Sequence, residues 1–471
     1  MKYPKAWELT RKLVLDGIPF SERMRSVSWD AVIEAGRKDV EAMNYQWKGY
    51  VTDSLAQLYN IAGTIQAKGN IGYDVTEAES LLEEGKRLYE RRDEVNLYKQ
   101  TLRIYKALHE AKPNPNSEYW KYTRYESFEQ YAAAVKFPEY NYDPRKVDQE
   151  DLYDRIYAGW LAQTCAGAMG TALEGYHTIN IEKAFGTVDR YIKEPEQYND
   201  DITFQLVFLE VFAQKGYGIT SGDIAEEWVA RIPMGFTAEG VALRNIKQGI
   251  YPPESGRFGN HMCEWIGAQM RGAVCGAVAP GNPALAAELA FKDGVISHYN
   301  TGVLGEVFNA IMVSLAFVED DMKKILRMAI DMMPEDSMYR SVLEFAWDAC
   351  EKHGNWRDAW LECDDKYKEY NWIDAIPNAA AEVVSMYFCE NDYEKLCTIC
   401  CMCGLDVDCN VAQVACVLAT AQGSSCIDER WSEPFGDHMI TYVRGMETVR
   451  FKDLARKTHK SILSAWNKLK K

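Results

Sequence analysis

Two acidic loops contain the residues of this chain that are best placed to do chemistry. The first reads Tyr198-Asn199-Asp200-Asp201, and the second reads Gly404-Leu405-Asp406-Val407-Asp408-Cys409-Asn410. Each loop stands directly before an almost wholly apolar run, over residues 202–213 and 411–421. Carboxylates before a helix lie beside its unpaired N–H groups and the positive end of its dipole. If the two loops converge, their four carboxylates would repel one another unless divalent cations lay between them, so the pattern predicts a two-metal site.

Helix capping is the alternative interpretation of these loops. Asp is a preferred N-cap residue, and a capping role needs only one Asp per helix. Two further pairs, Asp320-Asp321 and Asp364-Asp365, are interpreted as the openings of ordinary amphipathic helices. The loops before residues 202 and 411 are favoured as the metal site because the helices that follow them look buried.

The cysteines offer a second possible metal site. The chain has 13 cysteines, and the run Cys397-x-x-Cys400-Cys401-x-Cys403 could supply zinc ligands. No second Cys or His pair stands at zinc-finger spacing, and free Cys is a common small core residue. An odd number of cysteines without an export signal favours reduced thiols. We therefore expect core cysteines in a helix rather than structural zinc.

Composition excludes several classes of protein. A chain of 471 residues with 47% apolar and 26% charged residues is globular, and it is long enough for more than one domain. The formal net charge of -17 argues against nucleic acid or an anionic membrane as the main partner. The chain has no apolar run of transmembrane length and no signal-peptide core at its start, so we expect a cytoplasmic protein without a membrane partner.

Helical periodicity runs through the chain, and no segment shows convincing strand alternation followed by hairpin residues. The prediction is an all-α fold: a compact multi-helix orthogonal bundle over residues 146–471, preceded by a helical N-terminal extension over residues 1–145. The extension carries no catalytic constellation. It is interpreted as a substrate lid, an oligomerisation arm or a packing extension. Phosphate-binding Gly-Lys-Ser loops and Gly-x-Ser-x-Gly elbows do not occur.

Small residues and glycine-rich turns mark further candidates. Ala158, Gly159, Ala162 and the Ala166-Gly167 pair are spaced to let helix backbones approach closely, and Glu174 follows at the end of that helix. A second turn runs from Gly267 to Gly272, where backbone can approach a ligand or simply connect two elements. His298 precedes another helix, although a lone His at such a place is more often structural.

Taken in order, these residues resemble the ADP-ribosylglycohydrolase family, the dinitrogenase-reductase-activating type of all-helical hydrolase, over residues 151–435. The resemblance implies a two-metal enzyme that removes ADP-ribose from protein side chains with magnesium or manganese. By this resemblance the catalytic residues are Glu174, Asp201 and Asp408. The implied metal ligands are Asn199, Asp200, Asp201, Asp406, Asp408 and Cys409. The implied substrate-binding residues are Gly267, Ala268, Gln269, Met270, Arg271, His298, Asn300 and Gly302.

The chain departs from the family pattern at several positions. Asn199 and Ile202 stand on either side of the first Asp pair, where the family usually has Ser or Thr before it and Thr after it. The late loop has Val407 and Cys409 where the family usually has Thr, and Gly167 replaces a frequent Asp. A soft Cys409 sulfur is a poor magnesium ligand, so we expect one of the two metal sites to be weak.

Three functions follow from these observations. The first is a magnesium- or manganese-dependent hydrolase of a ribosyl or related glycosidic bond, with ADP-ribosylated protein side chains or ADP-ribosyl conjugates as the default substrate. The second is a hydrolase of another N- or O-glycoside or of a nucleoside-like small molecule. The third is a non-catalytic ligand-binding or structural protein, because a protein can retain a fold after its catalytic activity is lost.

Overall fold

The protein is described here by a computed structural model that covers residues 5–16, 29–195 and 198–469. Its N-terminal helices are α1 (Ala6–Asp16), α2 (Trp29–Trp47), α3 (Asn60–Asn70), α4 (Thr76–Ser80), α5 (Leu82–Glu90), α6 (Glu94–Glu110) and α7 (Phe128–Ala134). The central helices are α8 (Gln149–Gly170), α9 (Thr178–Phe185), α10 (Asp200–Lys215), α11 (Ser221–Arg231), α12 (Thr237–Lys247), α13 (Glu254–Arg257), α14 (Ala273–Ala277), α15 (Pro283–Gly294) and α16 (Thr301–Leu315). The C-terminal helices are α17 (Met322–Asp331), α18 (Met338–His353), α19 (Trp356–Tyr367), α20 (Ala375–Phe388), α21 (Tyr393–Cys403), α22 (Val407–Gln422), α23 (Glu429–Ser432) and α24 (Phe451–Leu469).

Short strands accompany this helical framework. Two antiparallel pairs are formed by β1 (Gly49–Tyr50) with β2 (Gln57–Leu58) and by β3 (His438–Ile440) with β4 (Thr448–Arg450). Strands of two or three residues are too short to show an alternating pattern, which is why the sequence did not predict them. The predicted all-α helical class is confirmed. Within the described residues, no helix combines the length and the hydropathy needed to cross a bilayer.

Helices α8 and α22 form the centre of the fold. They run antiparallel, since Gly159 of α8 lies beside Cys416 and Thr420, whereas Gly170 lies beside Asp408. A Cβ on Gly170 would be 2.5 Å from the Cα and the N of Asp408, a distance that only a glycine allows. The small residues of α8 therefore permit the close approach that their spacing predicted, and this approach places the second acidic loop at the end of α8.

Replacing Gly170 with Ala is expected to lower the free energy of unfolding by about 1–3 kcal/mol, because the new Cβ must push α8 and α22 apart. Urea unfolding of parent and variant measures the difference. Gly218→Ala is the matched control, since a Cβ there would meet no atom within 4 Å. Equal stability of Gly170→Ala and Gly218→Ala would contradict the close packing.

The helices behind the two acidic loops are buried as predicted. In α10 the side chains from Asp201 to Leu209 are buried, and in α22 those from Val407 to Ala421 are buried. The pair Asp320-Asp321 precedes α17, where the Asp321 side chain accepts a hydrogen bond from the Lys324 N–H. The interpretation of Asp364-Asp365 as a helix opening was wrong. These residues lie near the end of α19, whose N-cap is Asn355, and the preceding helix α18 ends at His353.

The cysteine cluster is part of the core, as expected. Cys397, Cys400, Cys401 and Cys403 all belong to α21 and are buried as free thiols. Burial raises the pKa of each of these thiols, so they stay protonated at neutral pH. The one group of possible metal ligands among the described residues contains none of these four.

The N-terminal region has a small apolar core of its own and is also joined to the main body. Met43 and Trp47 of α2 pack with Ile61 and Ile65 of α3 in this separate cluster. Tyr119, Tyr125 and Tyr131, however, belong to the main core. The Tyr-rich segment therefore packs with the main body, and the domain boundary at residue 145 stays a prediction. Residues 1–4 and 17–28 of the predicted extension lie outside the described residues.

Candidate active site

The first acidic loop is shaped by the N-cap of α10. Asn199 is the N-cap residue, and its side-chain oxygen accepts a hydrogen bond of 3.0 Å from the Ile202 N–H. Because Asn199 does the capping, neither Asp200 nor Asp201 is needed for it. Asp200 is half-buried and faces the cavity described below, whereas Asp201 is fully buried. Asp201 lies behind the cavity wall, where its Oδ1 accepts a hydrogen bond of 3.2 Å from the Cys409 thiol.

The second acidic loop ends at Asp406, the N-cap residue of α22. The Asp406 side chain makes no capping hydrogen bond. The loop is held from α20 instead: Asn378 Oδ1 accepts hydrogen bonds from the Asp406 N–H, at 3.2 Å, and from Asn410 Nδ2, at 2.7 Å. The carboxylates of Asp406 and Asp408 are therefore not needed to hold the loop in place.

Glu174 is joined to the second loop by backbone hydrogen bonds. The Gly175 N–H donates to Leu405 O at 2.8 Å, and the Leu405 N–H donates to Tyr176 O at 2.9 Å. Gly404 has a φ of 78°, and a Cβ there would lie 2.3 Å from Tyr176 O, so the contact requires glycine. The turn that carries Glu174 and the loop that carries Asp406 therefore form one unit, although they are far apart in sequence.

These elements meet at a cavity of about 430 Å³. The two acidic loops, the Glu174 turn, the start of α12 and the Gly267 turn all contribute to it. Among the described residues, six carboxylate side chains line it: Asp53, Glu174, Asp200, Glu239, Asp406 and Asp408. Thus Asp200, Asp406, Asp408 and Glu174, which the sequence singled out from separate segments, open on one space, and Asp201 supports it from behind.

Burial and mutual repulsion disfavour the charged forms of these groups. Burial raises the pKa of Asp408 well above its ordinary value, and the charges of Glu174, Asp201, Asp406 and Asp200 add to the effect. The pKa of Glu174 is raised in the same way, first by burial and then by Asp406. Burial raises the pKa of Asp406 to about 7. A cluster that resists ionisation in this way is one that a bound cation would stabilise.

The donor set fits a divalent cation. Ligand atoms of Asp406, Asp408 and Cys409 lie within 4.8 Å of one another. Asp406 Oδ1 and Asp408 Oδ1 are buried, and neither has a hydrogen-bond partner among the described residues. Two unpartnered carboxylate oxygens in one buried cluster are costly without a positive charge, and hard oxygen atoms are what magnesium and manganese prefer. Asp200, which also lines the cavity, is available to complete the oxygen ligands.

Cys409 differs from the other members of this group. Its thiol donates to Asp201 Oδ1 and also lies 3.9 Å from the Met270 sulfur. Burial raises the pKa of Cys409 well above its ordinary value, followed by the nearby charges of Asp201 and Asp406. A protonated thiol that donates to Asp201 is a weak ligand for a hard cation. The presence of one weaker metal position stays a prediction.

The expected substrate-binding turn reaches the cavity only in part. Gly267 and Met270 line it, whereas Ala268, Gln269 and Arg271 are buried behind its wall. Arg271 lies between α12, α15 and α16. It bonds to Asp293, to Glu239 Oε1 at 3.0 Å and to Ser297 Oγ at 3.0 Å, and its guanidinium carbon lies 4.9 Å from the Trp228 ring centre.

The residues expected around His298 lie away from the cavity lining. His298, expected among the substrate-binding residues, is fully buried, with Nδ1 2.8 Å from Ser297 Oγ, and burial lowers its pKa well below the ordinary value. Asn300 has a φ of 43° and donates from Nδ2 to Glu264 Oε2 at 3.2 Å. Gly302 packs against Cys263 O. These residues hold the turn before α16; their role in substrate binding stays a prediction.

The sequence did not point to several residues that line the cavity. The largest group comes from the N-terminal region and consists of Tyr45, Val51, Thr52, Asp53, Leu58 and Asn60. Further aromatic walls come from Phe236, Trp372 and Tyr442, and Glu239 adds a carboxylate. Nothing in the sequence indicated that Glu239 lines a cavity, because it is one acidic residue in the first turn of an ordinary helix. The N-terminal residues could not be identified either, because only folding brings them close to the acidic loops.

Interactions on both sides hold this N-terminal wall in place. Lys193 Nζ lies 3.1 Å from Asp53 Oδ1, and Tyr176 Oη donates to Ser54 O at 3.1 Å. Further along, Gln66 Nε2 donates to Glu369 O at 2.8 Å. Val51, Ala56 and Leu58 form an apolar cluster with Tyr176, Trp372 and Ile373 of the main body. The N-terminal region therefore forms one wall of the cavity, and contacts with the main body fix its position.

Comparisons with known proteins bear on the region that carries the acidic loops. A family model described as ADP-ribosylglycohydrolase matches residues 148–464, more than half of the chain. Among solved structures, a chain described as "ADP-ribosylglycohydrolase-related protein complex" is similar, with 18% sequence identity and a TM-score of 0.48. That similarity covers 68% of this chain and 99% of the other. No curated protein sequence matches this chain.

Proposed function

Because the chain belongs to the ADP-ribosylglycohydrolase family, we propose that it is a metal-dependent hydrolase of a ribosyl glycosidic bond. The observation that carries the proposal is the buried acidic cluster at the cavity. Asp406 Oδ1 and Asp408 Oδ1 lack hydrogen-bond partners among the described residues, and both residues line the same space as Asp200 and Glu174. ADP-ribosyl conjugates, on a protein side chain or on a small molecule, are the default substrate.

The proposed division of roles follows from where each residue lies. Asp200, Asp406 and Asp408 hold two divalent cations, Mg²⁺ or Mn²⁺, with Asp201, Asn199 and Cys409 at the less favourable positions. When bound, such cations polarise sugar hydroxyls and water at neutral pH. Glu174 lines the cavity, and its turn is joined to the Asp406 loop by backbone hydrogen bonds, so it is placed to transfer the proton to the leaving group or from water.

The proposal is tested by incubating the purified protein with magnesium or manganese and a panel of ribosyl conjugates. The panel contains ADP-ribosyl-arginine, ADP-ribosyl-serine peptides, an O-acetyl ADP-ribose and nucleosides. Release of the free sugar is followed by mass spectrometry. Metal-dependent release from at least one conjugate is expected. Absence of release from the whole panel, with the metal bound, would favour the non-catalytic ligand-binding protein.

A second substrate class, a small glycoside or nucleoside, is favoured by the N-terminal wall. This wall lies outside residues 148–464 and closes one side of the cavity with Tyr45, Asp53 and Asn60. Burial raises the pKa of Tyr45, and the charge of Glu174 contributes, so the phenol lies within electrostatic reach of the candidate proton donor. A wall this close to Glu174 leaves less room for a folded protein as the leaving group than for a small aglycone.

Replacing Tyr45 with Ala is expected to raise KM for small conjugates about tenfold, because an aromatic contact with the leaving group is removed. Steady-state kinetics on a nucleoside and on a modified peptide measure the effect for each class. Tyr50→Ala is the control, since Tyr50 belongs to the same segment and is exposed rather than part of the cavity lining. An unchanged KM in Tyr45→Ala would show that the Tyr45 side chain does not contribute to substrate binding.

A further inference from the structure

The group formed by Asp406, Asp408 and Cys409 combines hard and soft ligand atoms. Two carboxylate oxygens and one sulfur lie within 4.8 Å of one another, and each of the three residues is at most 6% exposed. All three also line the cavity. Catalytic zinc sites have three protein ligands and leave the fourth position for water or substrate. The number of ligands in this group and its access to the cavity therefore suit zinc.

The oxygen atoms of this group have no other partner. Asp406 Oδ1 and Asp408 Oδ1 are buried and accept no hydrogen bond from the described residues. The Asp406 side chain also makes no capping hydrogen bond to α22. Buried carboxylate oxygens without a donor are costly unless a positive charge lies beside them. This evidence for a cation does not depend on the cysteine.

Sulfur atoms surround the third ligand position. Cys409 Sγ lies 3.2 Å from Asp201 Oδ1 and 3.9 Å from Met270 Sδ, and Met270 also lines the cavity. Magnesium requires a near-ideal octahedron of oxygen atoms and usually keeps several of its waters. A thiol and a thioether leave less room for such oxygen ligands, whereas zinc binds thiolate readily. We therefore expect this position to discriminate against magnesium.

The place of Cys409 in the fold distinguishes it from the other cysteines. Of the 13 cysteines in the chain, it is the one that lines the cavity among the described residues. Cys400 and Cys401 of α21, for example, are equally buried but belong to no group of metal ligands there. A cation that enters the cavity therefore meets a single thiol.

We propose that the position formed by Asp406, Asp408 and Cys409 takes a softer divalent cation, zinc in particular, in preference to magnesium. The inference rests on the proposed function, because it names one of the two cations that the acidic cluster would hold. Asp200 remains for magnesium or manganese, so the two positions hold different metals. When zinc binds, the S–H bond of Cys409 breaks, an S–Zn bond forms and the proton leaves to solvent, without oxidation or reduction.

The test uses cobalt in place of zinc, because a bond between Co²⁺ and thiolate absorbs in the near ultraviolet and a bond to oxygen does not. The metal-free full chain is titrated with Co²⁺ while a phosphine keeps the thiols reduced. The thiolate band is expected to reach its maximum at one equivalent. One equivalent of zinc should abolish it, and a hundredfold excess of magnesium should not. Bound cobalt without this band overturns the inference, as does its loss at an equal concentration of magnesium.

Cys409→Ser replaces the sulfur with an oxygen in a side chain of similar size. The cobalt band should disappear, and zinc affinity measured by calorimetry should fall about tenfold or more, since even the loss of a group that only supports a metal ligand costs about 10–100-fold. Magnesium affinity should match or exceed that of the parent. Urea unfolding checks that the variant is folded, and the cobalt spectrum of the parent tests the inference without any variant.

Cys426→Ser is the matched control. Cys426 is only partly buried and lies outside the cavity lining, so this variant should keep the parent band and the parent zinc affinity. A band that survives in Cys409→Ser overturns the inference. An unchanged zinc affinity in Cys409→Ser also overturns it, because Cys409 would then serve only as a hydrogen-bond donor to Asp201.

This test is separable from the test of the proposed function, because metal binding is measured without turnover. A cobalt–thiolate band in a protein that hydrolyses no conjugate would support the metal assignment and count against the hydrolase. Hydrolysis with magnesium alone, by a protein whose cobalt complex lacks the band, would support the hydrolase and overturn the inference. Failure to bind any cation overturns it as well, and the release assay then decides the hydrolase separately.

Discussion

Asp408→Asn is expected to abolish turnover while the protein stays folded. Asp408 Oδ1 is buried without a hydrogen-bond partner among the described residues, and the ligand atoms of Asp406 and Cys409 lie within 4.8 Å. The amide keeps the size of the side chain but removes the charge that would hold a cation. We expect turnover to fall roughly a thousandfold or more, since loss of one preorganised electrostatic contact already costs about 10²–10³. Stability without metal should rise, because burial disfavours the charged form of Asp408.

The measurement is a manganese titration of the metal-free protein by electron paramagnetic resonance, with Asp408→Asn beside the parent. Two spin-coupled ions in the parent and loss of the coupling in the variant are the expected result. A single ion in the parent would agree with a second position weakened by Cys409, whose thiol already donates to Asp201.

The control for Asp408→Asn is Asp320→Asn. Asp320 also precedes a helix but is exposed and lies outside the cavity lining, so manganese binding and turnover should match those of the parent. Full activity in Asp408→Asn would remove the two-metal mechanism from consideration.

The second large effect is expected for Glu174→Gln. Glu174 lines the cavity, and its turn is joined to the Asp406 loop by the hydrogen bonds from Gly175 and Leu405. A glutamine keeps these backbone contacts and cannot transfer a proton. We expect kcat to fall about 10²–10⁴-fold, the usual contribution of a general acid or base, with a small change in KM.

Manganese binding distinguishes Glu174→Gln from Asp408→Asn. If Glu174 transfers protons, the variant should retain the spin-coupled signal of the parent and lose turnover. If it is a metal ligand, coupling and turnover should fall together. Glu150→Gln is the control, because Glu150 is exposed at the opposite end of α8 and should have parent kinetics. Parent kinetics in Glu174→Gln would exclude both roles.

Short-range patterns in the sequence were sufficient for the framework of the site. The helical period, the apolar runs over residues 202–213 and 411–421, and the small residues of α8 predicted buried helices that pack closely. The acidic residues before those runs predicted where carboxylates would gather. These features depend on neighbours three or four residues away, so a single sequence displays them.

The direction of individual side chains could not be predicted in the same way. Arg271 was expected in the ligand pocket, but Asp293 and Glu239 draw it behind the wall. His298 was expected among the substrate-binding residues, but the packing around it buries it completely. Asp293 and Glu239 belong to other helices, and the sequence around Arg271 does not indicate which helices will pack against it.

By itself, then, the sequence determined the all-α class, the two acidic loops and the helices that carry them, because local hydrogen bonding and apolar periodicity decide these features. Only the tertiary structure decided what surrounds the carboxylates. The N-terminal Tyr45 and Asp53 reach Glu174 across more than a hundred residues, and Glu239 covers Gly267 from a separate helix. Such contacts form when distant apolar faces are buried together, and their chemistry belongs to the assembled surface rather than to any one segment.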